Sequence, residues 1–313
     1  MVDPQHGVFA AFPAADSYRV IVRDVDAEAR KSIEALLPFR VHFDELGKHS
    51  LYVALRGRRP VGMIYVQREE SAFGLAVVEW AFTFDMRVSS FRFQRVRSQH
   101  RQALEQSEFV RLLKGRTREE LTVLLGVNGQ LREPAKGVGE EAQELASAVV
   151  RSGAKSMAVL DAVWASEIAK LHDMATGLQA FPQAVSFRRV LPQPATTPDA
   201  DVAEAKAAEV LIAIRAFGAN SKPLGTTADI RMDCGNGTTV VSWVLDADDQ
   251  VIRVDVAPDA PGAFRAACSD AMRKPLEVVA CRQDAIGVAM KLLGRRLAPS
   301  PEPIPSPEPR PGR

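Results

Sequence analysis

Between Asp26 and Leu37 the segment DAEARKSIEALL places Ala29, Ile33 and Leu36 at the three-to-four spacing of one helical face, with Asp26 positioned as its cap. The period then falls to two. Four runs rich in β-branched and aromatic residues follow: Leu51 to Leu55, Val61 to Gln67, Leu75 to Asp85 and Ser90 to Val96. Turn residues separate them at 56–60, at 71–74 and near Arg87. Connections this short join antiparallel neighbours, so the pattern predicts a four-stranded meander. Helical spacing returns from His100 to Lys114 and from Thr117 to Leu125, and GVNGQLREPAKGVGE reads as a loop. From Glu141 to about Leu171 a long helical pattern carries Leu145, Val149, Ser152, Ser156, Val159, Val163 and Leu171. Helices are the available cover for the apolar face of the meander.

Beyond Val190 the pattern changes. Residues 190–204 are rich in Pro, Thr and Asp and read as a linker. EVLIAIRAF is expected to be a short helix, followed by strands at Ala228 to Met232, Thr238 to Leu245 and Val251 to Val256. Phe264 to Met272 reads as a helix, LEVVA as a strand, and Asp284 to Leu293 as a last helix. The Pro-rich tail 297–313 has too little apolar surface to fold and is expected to be disordered. The whole is an α+β chain with a first domain over 1–189 and a second, smaller one over 205–296.

Composition narrows the partners. Of 313 residues, 46% are hydrophobic and 25% charged, ordinary values for a globular protein, and the net charge is +1. That balance gives no global attraction to nucleic acid or to an anionic membrane. No apolar run reaches the length of a membrane span. MVDPQHGVFAAFPAAD lacks the basic start and apolar core of a signal peptide, so the letters alone suggest a cytoplasmic chain. Cys234, Cys268 and Cys281 form no C-x-x-C pair, which leaves a zinc ribbon or thioredoxin-type chemistry without support.

Motifs for nucleotide triphosphates, dinucleotides, zinc proteolysis and serine hydrolysis are lacking too. The best candidate is SGAKS. Ser152, Gly153 and Ala154 form a small-residue turn where backbone N–H groups at a helix start would meet a phosphate, with hydroxyls from Ser152 and Ser156 and a charge from Lys155. The competing reading is a helix unbroken from Glu141, in which Ser152, Gly153 and Ser156 are a close packing seam; both stand on the letters alone. In SSFRFQRVR, strand alternation puts Phe91, Phe93, Arg95 and Arg97 on one face and Arg92 and Gln94 on the other. Aromatics followed by arginines suit a planar ring with an anionic tail, a single-stranded nucleic-acid platform, or a solvated strand end. HFDELGKH offers His42, Asp44, Glu45 and His49 as nitrogen and oxygen ligands at a spacing that matches no metal signature. DCGNG, with Cys234, reads as a turn between strands.

FPAADSYRVI, the strand pair around GRRPVGMIYV, further sheet and then SGAKSMAVLDAV occur in an order that resembles the FMN-binding domain family, over roughly residues 8–175. That family includes flavin-carrying subunits of the sodium-pumping quinone reductase and Rnf complexes and the nitrous-oxide-reductase regulatory protein. The resemblance implies a small α+β fold, electron transfer with a redox or scaffold partner, and a cell-envelope location. In the family, FMN is joined through its phosphate to a threonine in Ser-Gly-Ala-Thr. Here Ser152, Gly153 and Ala154 match, Ser156 is compatible with the following hydroxyl position, and Lys155 replaces the threonine. An amine cannot form that phosphoester. The Glu-Thr signature expected after the fourth strand is also replaced, by RSQHRQ. The resemblance therefore implies noncovalent FMN, its phosphate held by Lys155 with Ser152 and Ser156 and its ring near Phe93, Arg95 or Arg97. The alternative is a cofactor-free adaptor that keeps the fold.

Overall fold

Why does the meander start earlier than its pattern announces? In the computed structural model, which describes residues 5–39, 41, 46–106, 108–190, 208–235, 237–280 and 285–297, Ser17–Val25 is a fifth strand. Its sequence, SYRVIVRDV, alternates weakly because it lies at the sheet edge, where both faces are partly wet. The chain divides after Ala175 into two compact units. Both are α+β, and among the described residues each holds one five-stranded antiparallel sheet.

In the first unit, α1 (Gln5–Ala11) precedes β1 (Ser17–Val25), α2 (Ala27–Ala35), β2 (Gly47–Arg56), β3 (Arg59–Ser71), β4 (Gly74–Phe82) and β5 (Val88–Arg95). Next come α3 (Arg101–Gln106), α4 (Glu108–Leu113), α5 (Arg118–Val123) and α6 (Gln143–Ala180). Caps fix the helix starts: Asp26 accepts from the N–H groups of Glu28 and Ala29, and Thr117 forms a capping box with Glu120. The strands pair in chain order. One cross-strand row runs Ile21, Leu51, Tyr65, Trp80, Phe91, and its side chains join the main core. That face is covered by α6 through Leu145, Val149, Met157, Leu160 and Trp164, all fully buried. Each such side chain contributes about 1.5–3 kcal/mol by leaving water.

The opposite face of the same sheet is only partly covered. There α1 contributes Val8, which packs with Ala54, Ile64, Val66 and Ala81. Among the described residues no helix is long and apolar enough to cross a membrane.

The second unit opens inside the last turn of α6. Gly177 lies against the Phe187 ring, and Phe181 approaches Gly225, so residues 176–189 belong here rather than with the first domain as expected. Its sheet comprises β6 (Ser186–Arg189), β7 (Ala208–Phe217), β8 (Pro223–Asp233), β9 (Thr238–Asp246) and β10 (Val251–Val256), paired in chain order. Helices at Gly262–Ser269, Leu276–Ala280 and Ala285–Leu297 accompany it. Two expectations are corrected. EVLIAIRAF is strand β7, held between β6 and β8, because pairing on both sides overrides what a short apolar run can say about period. LEVVA is helical: the N–H groups of Val278 and Val279 bond back to the Pro275 carbonyl, and Leu276 and Val279 share the buried side. The expected linker, apart from Val190, lies outside the described residues, as does the expected tail beyond Leu297.

Candidate functional site

Ser152 to Ser156 lies in the middle of α6, which is continuous from Gln143 to Ala180. Its backbone N–H groups are therefore engaged by the preceding turn and do not point at a ligand. The hydroxyls are engaged as well. Ser152 donates to the Val149 carbonyl at 2.8 Å and accepts from the Trp80 indole N–H at 2.9 Å, while Ser156 donates to the Ser152 carbonyl at 2.7 Å. Gly153 and Ala154 face the core rather than a cavity. A Cβ on Gly153 would stand 2.8 Å from the Trp80 ring and 3.2 Å from Leu121, so the missing side chain makes room for the indole. This is the packing seam, and a phosphate does not fit it.

Lys155 has a different environment. Its side chain is 2% exposed, and its Nζ lies 2.9 Å from Oε2 of Glu69, itself 3% exposed. The contact is a close ion pair outside hydrogen-bond alignment. The other Glu69 oxygen accepts from Arg151 Nε at 2.9 Å. Arg151 also donates to the carbonyls of Gly129 at 3.1 Å and Glu70 at 2.8 Å, tying the loop after α5 to the end of β3. Glu69 thus faces the buried Lys155 and the partly buried Arg151, which also pairs with Glu144 at 3.5 Å, and the Phe39 ring lies 5.9 Å from the ammonium. Above them opens a cleft of about 590 Å³, with Asn128, Gln130 and Glu144 also in its wall. Sequence reasoning passed over Glu69 and Arg151. The signal was present: Glu69 continues the two-residue step Met63, Tyr65, Gln67 into the covered face, and Arg151 precedes Lys155 by one helical turn.

The arginine-rich strand is the second correction. Phe91 and Phe93 are buried in the main core, but Arg95 is not on their face. A register shift pairs Phe93 with Val78 and Arg95 with Val77, so two residues of β5 pass for one of β4. The bulge at Gln94 sends Arg95 to the other side of the sheet, where Gln94 donates to Glu79 at 3.0 Å. Arg95 and Arg97 there border a cleft of about 460 Å³ that Phe93 does not line. Its apolar surface comes from Val66, Phe73, Leu75 and Val77, and a third arginine, Arg68, joins its rim. The structure therefore separates the eight expected site residues: five on α6, one in the core, two at this cleft.

Glu79 lies beside that cleft, under α1. Its carboxyl is 1% exposed, 3.2 Å from Arg92 Nε, with Gly7 of α1 directly over it. Burial pushes its pKa up, opposed by the Gln94 hydrogen bond and the Arg92 charge. Of the expected metal ligands, His49 pairs with the Tyr65 hydroxyl at 2.5 Å, whereas His42, Asp44 and Glu45 lie outside the described residues. Among the described residues no three His, Cys, Asp or Glu side chains gather as a metal site. Cys234 sits in the expected turn, where its thiol donates to the Gly237 carbonyl at 3.2 Å. Comparison with family models, curated proteins and solved structures found no match to this chain.

Proposed function

We propose that the chain is a non-catalytic interaction protein whose first unit works without flavin. The observation behind this reading is the engagement of Lys155. To hold an FMN phosphate, its ammonium would have to leave a carboxylate at 2.9 Å and turn toward a dianion. Glu69 would then face that dianion across a site of low dielectric, where like charges repel strongly. The Ser152 and Ser156 hydroxyls offer the phosphate no spare donor.

The surface that suits an interaction is β1. No described strand pairs with its outer side, and Val20 and Val22 are 45% and 50% exposed. The other edge is closed: the Val88 N–H donates to the Arg116 carbonyl, and the Phe93 N–H to Glu105. A partner strand would add at β1 and leave β5 alone. Two measurements test this. Freshly purified protein should lack flavin absorption and should not quench FMN fluorescence on titration; stoichiometric flavin that is lost in Lys155→Ala would overturn the reading. A partner recovered with wild type should be lost with the Val20→Glu/Val22→Glu variant, and equal recovery would remove β1 from the account.

A further inference from the structure

We infer that the cleft bordered by Arg68, Arg95 and Arg97 is a binding site for a small amphiphilic anion, a single apolar chain ending in a carboxylate or phosphate. The site lies on the partly covered face of the first sheet, away from Lys155, and does not depend on the reading given above. Three observations carry it.

The first is charge placement. Arg68, Val77 and Arg95 form one cross-strand row, so two guanidiniums flank a valine on the same face. With strands about 4.8 Å apart, their Cα atoms are roughly 10 Å from each other. Arg97 adds a third positive charge at the same rim. None of the three makes an ion pair or a side-chain hydrogen bond among the described residues. Nearby Glu79 is already engaged by Arg92 and Gln94. Three like charges around one hollow repel each other until an anion enters.

The second is the apolar floor. Val66 is 9% exposed and Leu75 53% exposed, and Phe73 and Val77 stand beside them. Such a surface leaves water when a hydrocarbon chain covers it. The third is size. A hollow of about 460 Å³ falls at the small end of ligand pockets, which run from roughly 300 to 1,000 Å³. It suits a medium-length chain with one charged head. Guanidinium pairs with carboxylate and with phosphate through the same two-pronged hydrogen bonding, so the head group is left to the experiment.

The test is calorimetric titration of the full chain with octanoate, decanoate, decyl phosphate, decanol and decyltrimethylammonium, each below its micelle concentration. The two decyl anions should bind saturably, and whichever is tighter identifies the head. Decanol should bind at least tenfold more weakly than the tighter anion, and the cationic chain not at all. Each methylene that enters the cleft should tighten binding about two- to fourfold, so decanoate should exceed octanoate by roughly four- to fifteenfold. Arg95→Gln should weaken the anions about ten- to hundredfold. Leu75→Asp, at an exposed position that tolerates a charge, should abolish binding with an unchanged circular dichroism spectrum. Equal binding of decanol and decanoate, full affinity in Arg95→Gln, or no saturable binding by either anion would overturn the inference.

Discussion

Replacing Glu69 by Ala would leave the buried Lys155 beside an empty position, while the partly buried Arg151 keeps Glu144 at 3.5 Å. Removing one partner of a buried ion pair typically costs about 3–5 kcal/mol, because the remaining charge has lost both water and its counter-ion. Replacing Lys155 by Met is a different perturbation. Glu69 keeps Arg151 at 2.9 Å, and the methionine fills much of the lysine's volume without a charge to desolvate. Its expected effect is within about 1 kcal/mol of zero, of either sign. The asymmetry follows from one carboxylate serving two cations. Urea unfolding followed by tryptophan fluorescence in a Trp243→Phe background measures it, since Trp80 and Trp164 then report on the first unit alone. With an m-value of about 2 kcal/mol/M, the midpoint of Glu69→Ala should fall by about 2 M while that of Lys155→Met moves by less than about 0.5 M. If Lys155→Met loses as much stability as Glu69→Ala, the Glu69–Arg151 pair does not satisfy the carboxylate and the reasoning fails.

Three further outcomes are expected. Gly153→Ala should destabilise by about 1–2 kcal/mol in the same unfolding assay, because the close approach of the Trp80 ring outweighs the gain in helix propensity. Ser152→Ala should cost about 1–3 kcal/mol by leaving the buried Trp80 indole N–H without its acceptor, and should shift the near-ultraviolet spectrum. Glu79, whose pKa is raised in the folded state, gives stability that is complete at low pH and is lost as the pH rises through that raised value. Wild type should therefore gain on Glu79→Gln in stability as the pH falls from 7 toward 4; a difference that does not vary over this range would contradict burial as the dominant influence.

The strands β2 to β5 and helix α6 were legible because each is long enough for its period to show and each buries one face. Strand β1 was not, because an edge exposes Val20 and Val22 on one face and Arg19 and Arg23 on the other, which blurs the alternation. In the second unit, EVLIAIRAF and LEVVA were exchanged in type: each is a short apolar run, and partners distant in sequence decide between helix and strand. SGAKS attracted attention by its small residues. The letters could not tell a helix start from a helix middle, and only the uninterrupted turns between Gln143 and Ala180 separate the two. Lys155 was legible as a charge in a core pattern, yet its counter-ion lies 86 positions earlier, a pairing that only the folded chain brings together.

The bulge at Gln94 acts as a parity switch. Were Gln94 counted as an ordinary strand position, strict alternation would run to the end of β5 and turn the Arg95 guanidinium inward, beside Phe93 under the helical layer. The one extra residue thus keeps a permanent cation out of hydrocarbon and gives the open sheet face part of its positive rim.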